Sequence, residues 1–144
     1  TWVHLACHGK QDPKQPYDSH FVMRDEHLTL LDDIMERHLP QAEFTFLSAC
    51  HTAVGDEETP DEVIDLAAGI QFSGFKSVVG TLWEVDDSVV KHVVEAFYRY
   101  MSGDLKDGGV MDCTKAAWAL NCAMHVVKTK VPLEQRMVFV NIGV

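Results

Sequence analysis

Trp2-Val3-His4-Leu5-Ala6-Cys7-His8-Gly9 and Phe44-Thr45-Phe46-Leu47-Ser48-Ala49-Cys50-His51-Thr52-Ala53 are built alike. Each is an apolar run that stops at a small or reactive residue and breaks into a polar loop. As two buried parallel strands they would present His8 and Cys50 together at their carboxyl ends. That is where open α/β sheets place their chemistry. A thiol beside an imidazole is the least equipment that nucleophilic acyl transfer requires.

Side-chain alternation along a strand sorts the neighbours of this pair. Along residues 2–8, His4, Ala6 and His8 point one way and Cys7 the other. Along 44–50, Phe46, Ser48 and Cys50 share a side that Ala49 opposes. Cys7-His8 and Cys50-His51 therefore cannot serve as adjacent ligands of one ion. The paired short spacings of structural zinc sites are missing too, and no metal is expected. His4 lies two residues deeper than His8 and reads as a buried, hydrogen-bonded histidine.

Outward from these runs the chain alternates strand and helix, the pattern of an α/β fold with a mostly parallel sheet. Strands are expected at 2–7, 20–23, 44–49, 76–82 and 137–142. Residues 9–18 read as a loop broken by Pro13 and Pro16, and 24–27 as a turn. Thr29 with Asp32 resembles a capping box opening a helix that ends near Pro40, with Leu30, Leu31, Ile34 and Met35 facing inward. Thr59-Pro60-Asp61-Glu62 opens a second helix, with Val63, Ile64, Ala67 and Ile70 buried, and Gly74 stops it. Asp86 or Asp87 caps a third, in which Val89, Val90, Val93, Val94 and Phe97 share a face. Asp112 caps a last helix through about Lys128, with Ala116, Ala117, Leu120, Met124 and Val127 inward.

Composition narrows the function classes. A chain of 144 residues makes one domain with a real core. Its net charge of −10 disfavours nucleic acid, whose phosphates need Lys and Arg. No apolar stretch approaches the roughly 20 residues of a membrane span. The four Cys are too scattered for a disulfide framework, so a reducing cytoplasm is expected, with Cys113 and Cys122 as packed hydrophobes. No initiator Met is present and residue 1 opens inside a strand pattern. An N-terminally incomplete piece of a longer protein is the expectation.

The whole of 1–144 resembles a CHAT domain, the caspase-like module often joined to tetratricopeptide repeats. His8-Gly9 stands where that family has its His-Gly, and Leu47-Ser48-Ala49-Cys50 matches its nucleophile motif. The span from Asp18-Ser19 through Leu28-Thr29-Leu30 is similar to its hairpin. Ser77-Val78-Val79-Gly80-Thr81-Leu82-Trp83-Glu84-Val85-Asp86-Asp87 is similar to its signature strand and helix start. Phe97-Tyr98, Lys115 to Met124 and Phe139-Val140-Asn141-Ile142-Gly143 resemble its later aromatic pair, Ala-rich helix and final strand. The resemblance implies a three-layer caspase-like fold, a mostly parallel sheet flanked by helices. The family's first strands are missing from this chain, which leaves the edge beside residues 2–7 bare.

It also implies a cysteine endopeptidase, acting as a regulated signalling or defence protease. Cys50 would be the nucleophile, His8 the proton shuttle, and the backbone N–H groups of Gly9 and Cys50 the oxyanion hole. No metal or organic cofactor is required. Partners would be a protein or peptide substrate and a regulatory segment or repeat domain of the parent chain, with no nucleic acid and no membrane. Trp83, Glu84, Asp86 and Asp87 follow a strand expected beside that of Cys50. They serve either as core and helix caps or as a substrate pocket. The chain has only four Arg, at 24, 37, 99 and 136, none of them at an expected strand end beside the site. A basic residue at the cleavage site is therefore expected rather than Asp. The alternatives are an inert caspase-like scaffold that docks partners, and a different thiol hydrolase or transferase on the same pair.

Overall fold

The computed structural model describes residues 1–10, 15, 18–24, 26–29, 34, 36, 39–48, 63–83, 85–103 and 109–144, with the backbone alone at 63–65 and 68. In chain order the elements are β1 (Trp2–Leu5), β2 (His8–Lys10), β3 (His20–Val22), β4 (His27–Thr29), β5 (Phe44–Leu47), α1 (Val63–Phe72), β6 (Ser77–Thr81), α2 (Asp87–Met101), α3 (Ala116–Val126), α4 (Leu133–Arg136) and β7 (Phe139–Gly143). The main sheet runs β1-β5-β6-β7. β1 is parallel to β5 and β5 to β6, and β7 closes the sheet antiparallel to β6. β2-β3-β4 form a second, antiparallel sheet. The molecule is thus α/β, with a mixed sheet flanked by helices. None of its described helices is long and apolar enough to cross a membrane.

The central strands are apolar on both sides because both sides are covered. Phe44 and Phe46 of β5 and Val79 of β6 face α2 and α3, in a core with Val89, Val93, Phe97, Ala116, Ala119, Leu120 and Ala123. Leu47 and Val78 face the opposite way, toward Leu66, Ala67 and Ile70 of α1 and Phe21 of the small sheet. On the α2 side the aromatic rings interlock. Phe97 stacks on Phe44 at 5.5 Å between centroids and meets Phe46 edge-on at 5.1 Å. The three small alanines on the inner face of α3 let it lie close to α2.

Several sequence expectations shift in register. The strand expected over 2–7 ends at Leu5, and the chain bends at Cys7. His8, expected at the end of the first strand, and Gly9, expected in a loop, instead open β2 of the second sheet. Thr29 ends β4, paired with His20, and the helix start it is expected to cap lies outside the described residues. Most of the helix expected over 29–40 lies outside the described residues, though Ile34 is buried. The expected start of α1 at Thr59-Pro60 also lies outside them.

In α1, Leu66 is buried beside the expected Ala67 and Ile70. Gly74 ends the helix as expected. Its φ of 118° suits glycine, and a Cβ there would meet the Leu39 carbonyl oxygen at 2.8 Å. Asp112 caps the short 3-10 turn Cys113–Lys115 that leads into α3, accepting from the Thr114 N–H at 3.0 Å, so the α-helix it is expected to open starts only at Ala116. In α3, Ala117 faces solvent, and Ala119 and Ala123 take the inner face with Ala116 and Leu120. That helix needs two small residues where its neighbour crosses, and apolar periodicity alone does not locate the crossing.

Phe97→Ala is expected to cost about 4 kcal/mol of stability, because it removes a wholly buried ring from the α2–sheet contact. Trp83→Ala, at a residue 47 % exposed, should change it by less than about 0.5 kcal/mol. Urea unfolding of the two variants checks the contrast.

Candidate active site

β1 and β5 run side by side in register, with His4 opposite Phe46 and Leu5 opposite Leu47. The ladder continues one step further, where the Ser48 N–H donates to the Leu5 carbonyl at 3.0 Å. Alternation puts His4, Phe46 and Ser48 on the side that faces α2. A pocket of about 380 Å³ opens there, lined by His4, Ala6, Cys7, His8, Ser48, Asp87, Val90, Lys91 and Val94. Its floor is the carboxyl end of two parallel strands. Its wall is the first half of α2, which presents Asp87, Lys91 and Val94 one turn or less apart.

His8 reaches this pocket from the first position of β2. Gly9 behind it is buried and pairs with Phe21. β2 is an edge of the small sheet, so alternate backbone N–H groups along it point away from β3. Cys50, two residues past Ser48, lies outside the described residues, as do His51 and Glu84. Trp83 is exposed and stands apart from the pocket lining. Asp86 occupies the cap position of α2 through its carbonyl, which accepts from the N–H groups of Val89 and Val90 at 2.9 and 3.0 Å. Its carboxylate instead takes a hydrogen bond from Gln135 Nε2 at 3.0 Å, away from the pocket. Of the acidic residues singled out in the sequence, Asp87 is the one that lines the cavity among the described residues.

Cys7 packs with Val3 and Leu5 against the core under α1, on the side opposite His4 that alternation assigns it, and also borders the pocket at the bend between β1 and β2. Burial against the core under α1 pushes its thiol above the usual range, which disfavours a thiolate there. His4 is hydrogen-bonded as expected but is exposed to the pocket rather than buried. Its Nε2 shares a 2.7 Å hydrogen bond with Ser48 Oγ, and its ring packs at 5.2 Å from Phe46 and 5.6 Å from Tyr98. Partial desolvation by these neighbours lowers its pKa from the ordinary 6.5.

Ser48, Lys91, Val90 and Val94 are lining residues that the motifs alone do not single out. Sharing a strand side with Cys50 is the signal the sequence holds for Ser48, and a spacing of four residues from Asp87 on one helix is the signal it holds for Lys91, which is not among the sequence expectations. His27 and His20 lie on the same face of the small sheet as His8, and their rings meet edge-on at 4.7 Å. No group of three or more His, Cys, Asp or Glu among the described residues is arranged to hold a metal.

An α/β domain with a His-bearing pocket at the carboxyl ends of parallel strands is the class that fold and site define. The family model of the CHAT domain matches residues 1–127, and the chain belongs to the CHAT domain family, which is related to caspase-like peptidases. Among proteins of curated function, none matches the chain.

The lowered His4 pKa has a definite sign. Between that lowered value and the unfolded 6.5, the unfolded chain binds more protons than the folded one. Stability therefore rises with pH through this window and is least below it. His4→Gln keeps a partner for Ser48 but does not titrate. Urea unfolding at pH steps between about 5 and 7 should give a shallower rise in the variant than in the parent. Equal slopes would remove His4 as the cause.

Proposed function

We propose that this chain is a cysteine endopeptidase of caspase-like fold, with Cys50 as nucleophile and His8 as its general base and acid. One observation carries the reading. His8 and Ser48 line the same pocket, and Ser48 stands two residues before Cys50 where β5 exits the sheet. In this mechanism His8 takes the Cys50 proton and the thiolate attacks the scissile carbonyl carbon. The C–S bond forms as the carbonyl π pair moves to oxygen, where N–H groups of Gly9 and Cys50 receive it. Collapse breaks the C–N bond, and His8 protonates the leaving amine. Water, deprotonated by His8, then hydrolyses the thioester and frees the enzyme. No metal or cofactor enters any step.

The pocket chemistry supports a basic residue on the acyl side of the cleaved bond. Asp87 supplies the carboxylate, while Ala6, Val90 and Val94 supply apolar walls for an aliphatic stem. Lys91 stands in the same wall and opposes the bound cation, which tempers the preference. Cys7, Cys113 and Cys122 are free thiols, consistent with a reducing, cytoplasmic setting. A regulatory segment or repeat domain of the parent chain would control access to the cleft.

A fluorogenic peptide panel tests the proposal, with Cys50→Ala and His8→Ala as inactive controls. Cleavage after Arg or Lys is expected to exceed cleavage after Asp by on the order of tenfold. Asp87→Asn should erase that preference, Lys91→Gln should widen it, and Asp86→Asn should leave it as it was. Turnover that survives Cys50→Ala sinks the nucleophile assignment. No turnover by the parent protein on any peptide favours the inert scaffold, and efficient cleavage after Asp overturns the basic preference alone.

A further inference from the structure

α2 carries a second, separate pocket at its other end. Arg99, Tyr100 and Gly103 meet Lys115 and Trp118 around a cavity of about 440 Å³. Arg99 stands twelve residues after Asp87, about 18 Å along the helix axis, so the two pockets do not share a wall. We propose that this second pocket docks an acidic peptide segment bearing apolar side chains.

The position of Trp118 is the first reason. The inner face of α3 is held by Ala116, Ala119, Leu120 and Ala123, so the large ring is turned outward and is 54 % exposed. It stands edge-on to Tyr100 at 5.7 Å. The same face continues through half-buried Cys122 to Val126, which is 49 % exposed, at four-residue spacing. This makes an apolar strip about 12 Å long. An isolated exposed apolar residue needs no explanation, but a strip that ends in an aromatic pair does.

Charge is the second reason. Acidic residues outnumber basic ones 22 to 12, so an uncompensated cation is unusual on this surface. The Arg99 guanidinium makes no ion pair or hydrogen bond among the described residues; only its carbonyl is engaged, accepting from Ser102. Lys115 faces the same cavity and also acts on Asp112, so Arg99 is the principal anion-binding group. At Gly103 a Cβ would meet nothing within 4 Å, which leaves the floor open to a ligand. Arg, Trp and Tyr grouped in one depression are the side chains that dominate protein-binding energies. The strip on α3 outruns a single nucleobase, whereas a peptide with carboxylates at one end and apolar side chains along its length covers both parts. The acidic remainder of the surface repels such a segment, which confines it to this spot.

The test uses fluorescence anisotropy of the labelled peptide Asp-Glu-Asp-Phe-Leu-Gly-Phe-Leu, and needs no peptidase activity. Saturable binding that weakens with added salt is expected. Arg99→Gln and Trp118→Ala should each weaken it about tenfold, and Trp118→Phe should restore most of the loss. Circular dichroism checks that the variants fold, and any cleavage at the first pocket should be unchanged in Arg99→Gln. The proposal fails if no saturation occurs below about 1 mM. It fails equally if Lys in place of Asp and Glu binds as well, or if both variants bind like the parent. Displacement by ATP but not by unlabelled peptide would make this a nucleotide site and overturn it.

Discussion

Phe46 on β5 and Phe97 on α2 meet edge to face, and Phe97 also stacks on Phe44, all three rings fully buried. This contact holds α2 against the sheet at one height and one rotation. Interiors are packed to near-crystalline density, so the three rings cannot slide past each other without opening voids. Tyr98, the next residue on α2, reaches Phe46 at 6.1 Å and His4 at 5.6 Å. The aromatic cluster thus extends from the core to the lip of the pocket.

From that anchor the rest of the site follows. With α2 fixed, its first two turns place Asp87, Val90, Lys91 and Val94 over the carboxyl ends of β1 and β5. The β1–β5 ladder, extended by the Ser48 N–H to Leu5 bond, sets the floor. The His4–Ser48 hydrogen bond ties those two strands together by their side chains, at the point where both leave the sheet. His8 arrives from a different direction, on a small antiparallel sheet whose inner residues Phe21 and Leu28 pack under the main sheet. The imidazole and the end of β5 are therefore held by two independent pieces of structure, and a change in either would alter their separation.

The same helix has a second use. Its carboxyl end carries Arg99 and Tyr100 to the edge of α3, far from the His8 pocket. A rigid helix of fifteen residues spans both places, and one set of buried rings positions both.

Much of this was legible in the residues. The apolar strand cores at 2–5 and 44–47, the Gly74 stop and the Asp112 cap depend on local chemistry, which reads from sequence directly. The α/β class followed from alternating periodicities for the same reason. What the sequence could not decide was where strands end and which sheet each one joins. His8 reads as the end of the first strand, yet a bend at Cys7 carries it into a second sheet, because Gly9 pairs with Phe21 across a hairpin. Likewise Asp86 and Asp87 read as interchangeable caps. Only the rotation of α2, set by Phe44, Phe46 and Phe97 packing together, turns Asp87 into the pocket and leaves Asp86 to Gln135. Propensity and capping act over a few residues, whereas pairing and rotation are settled by contacts between segments dozens of residues apart.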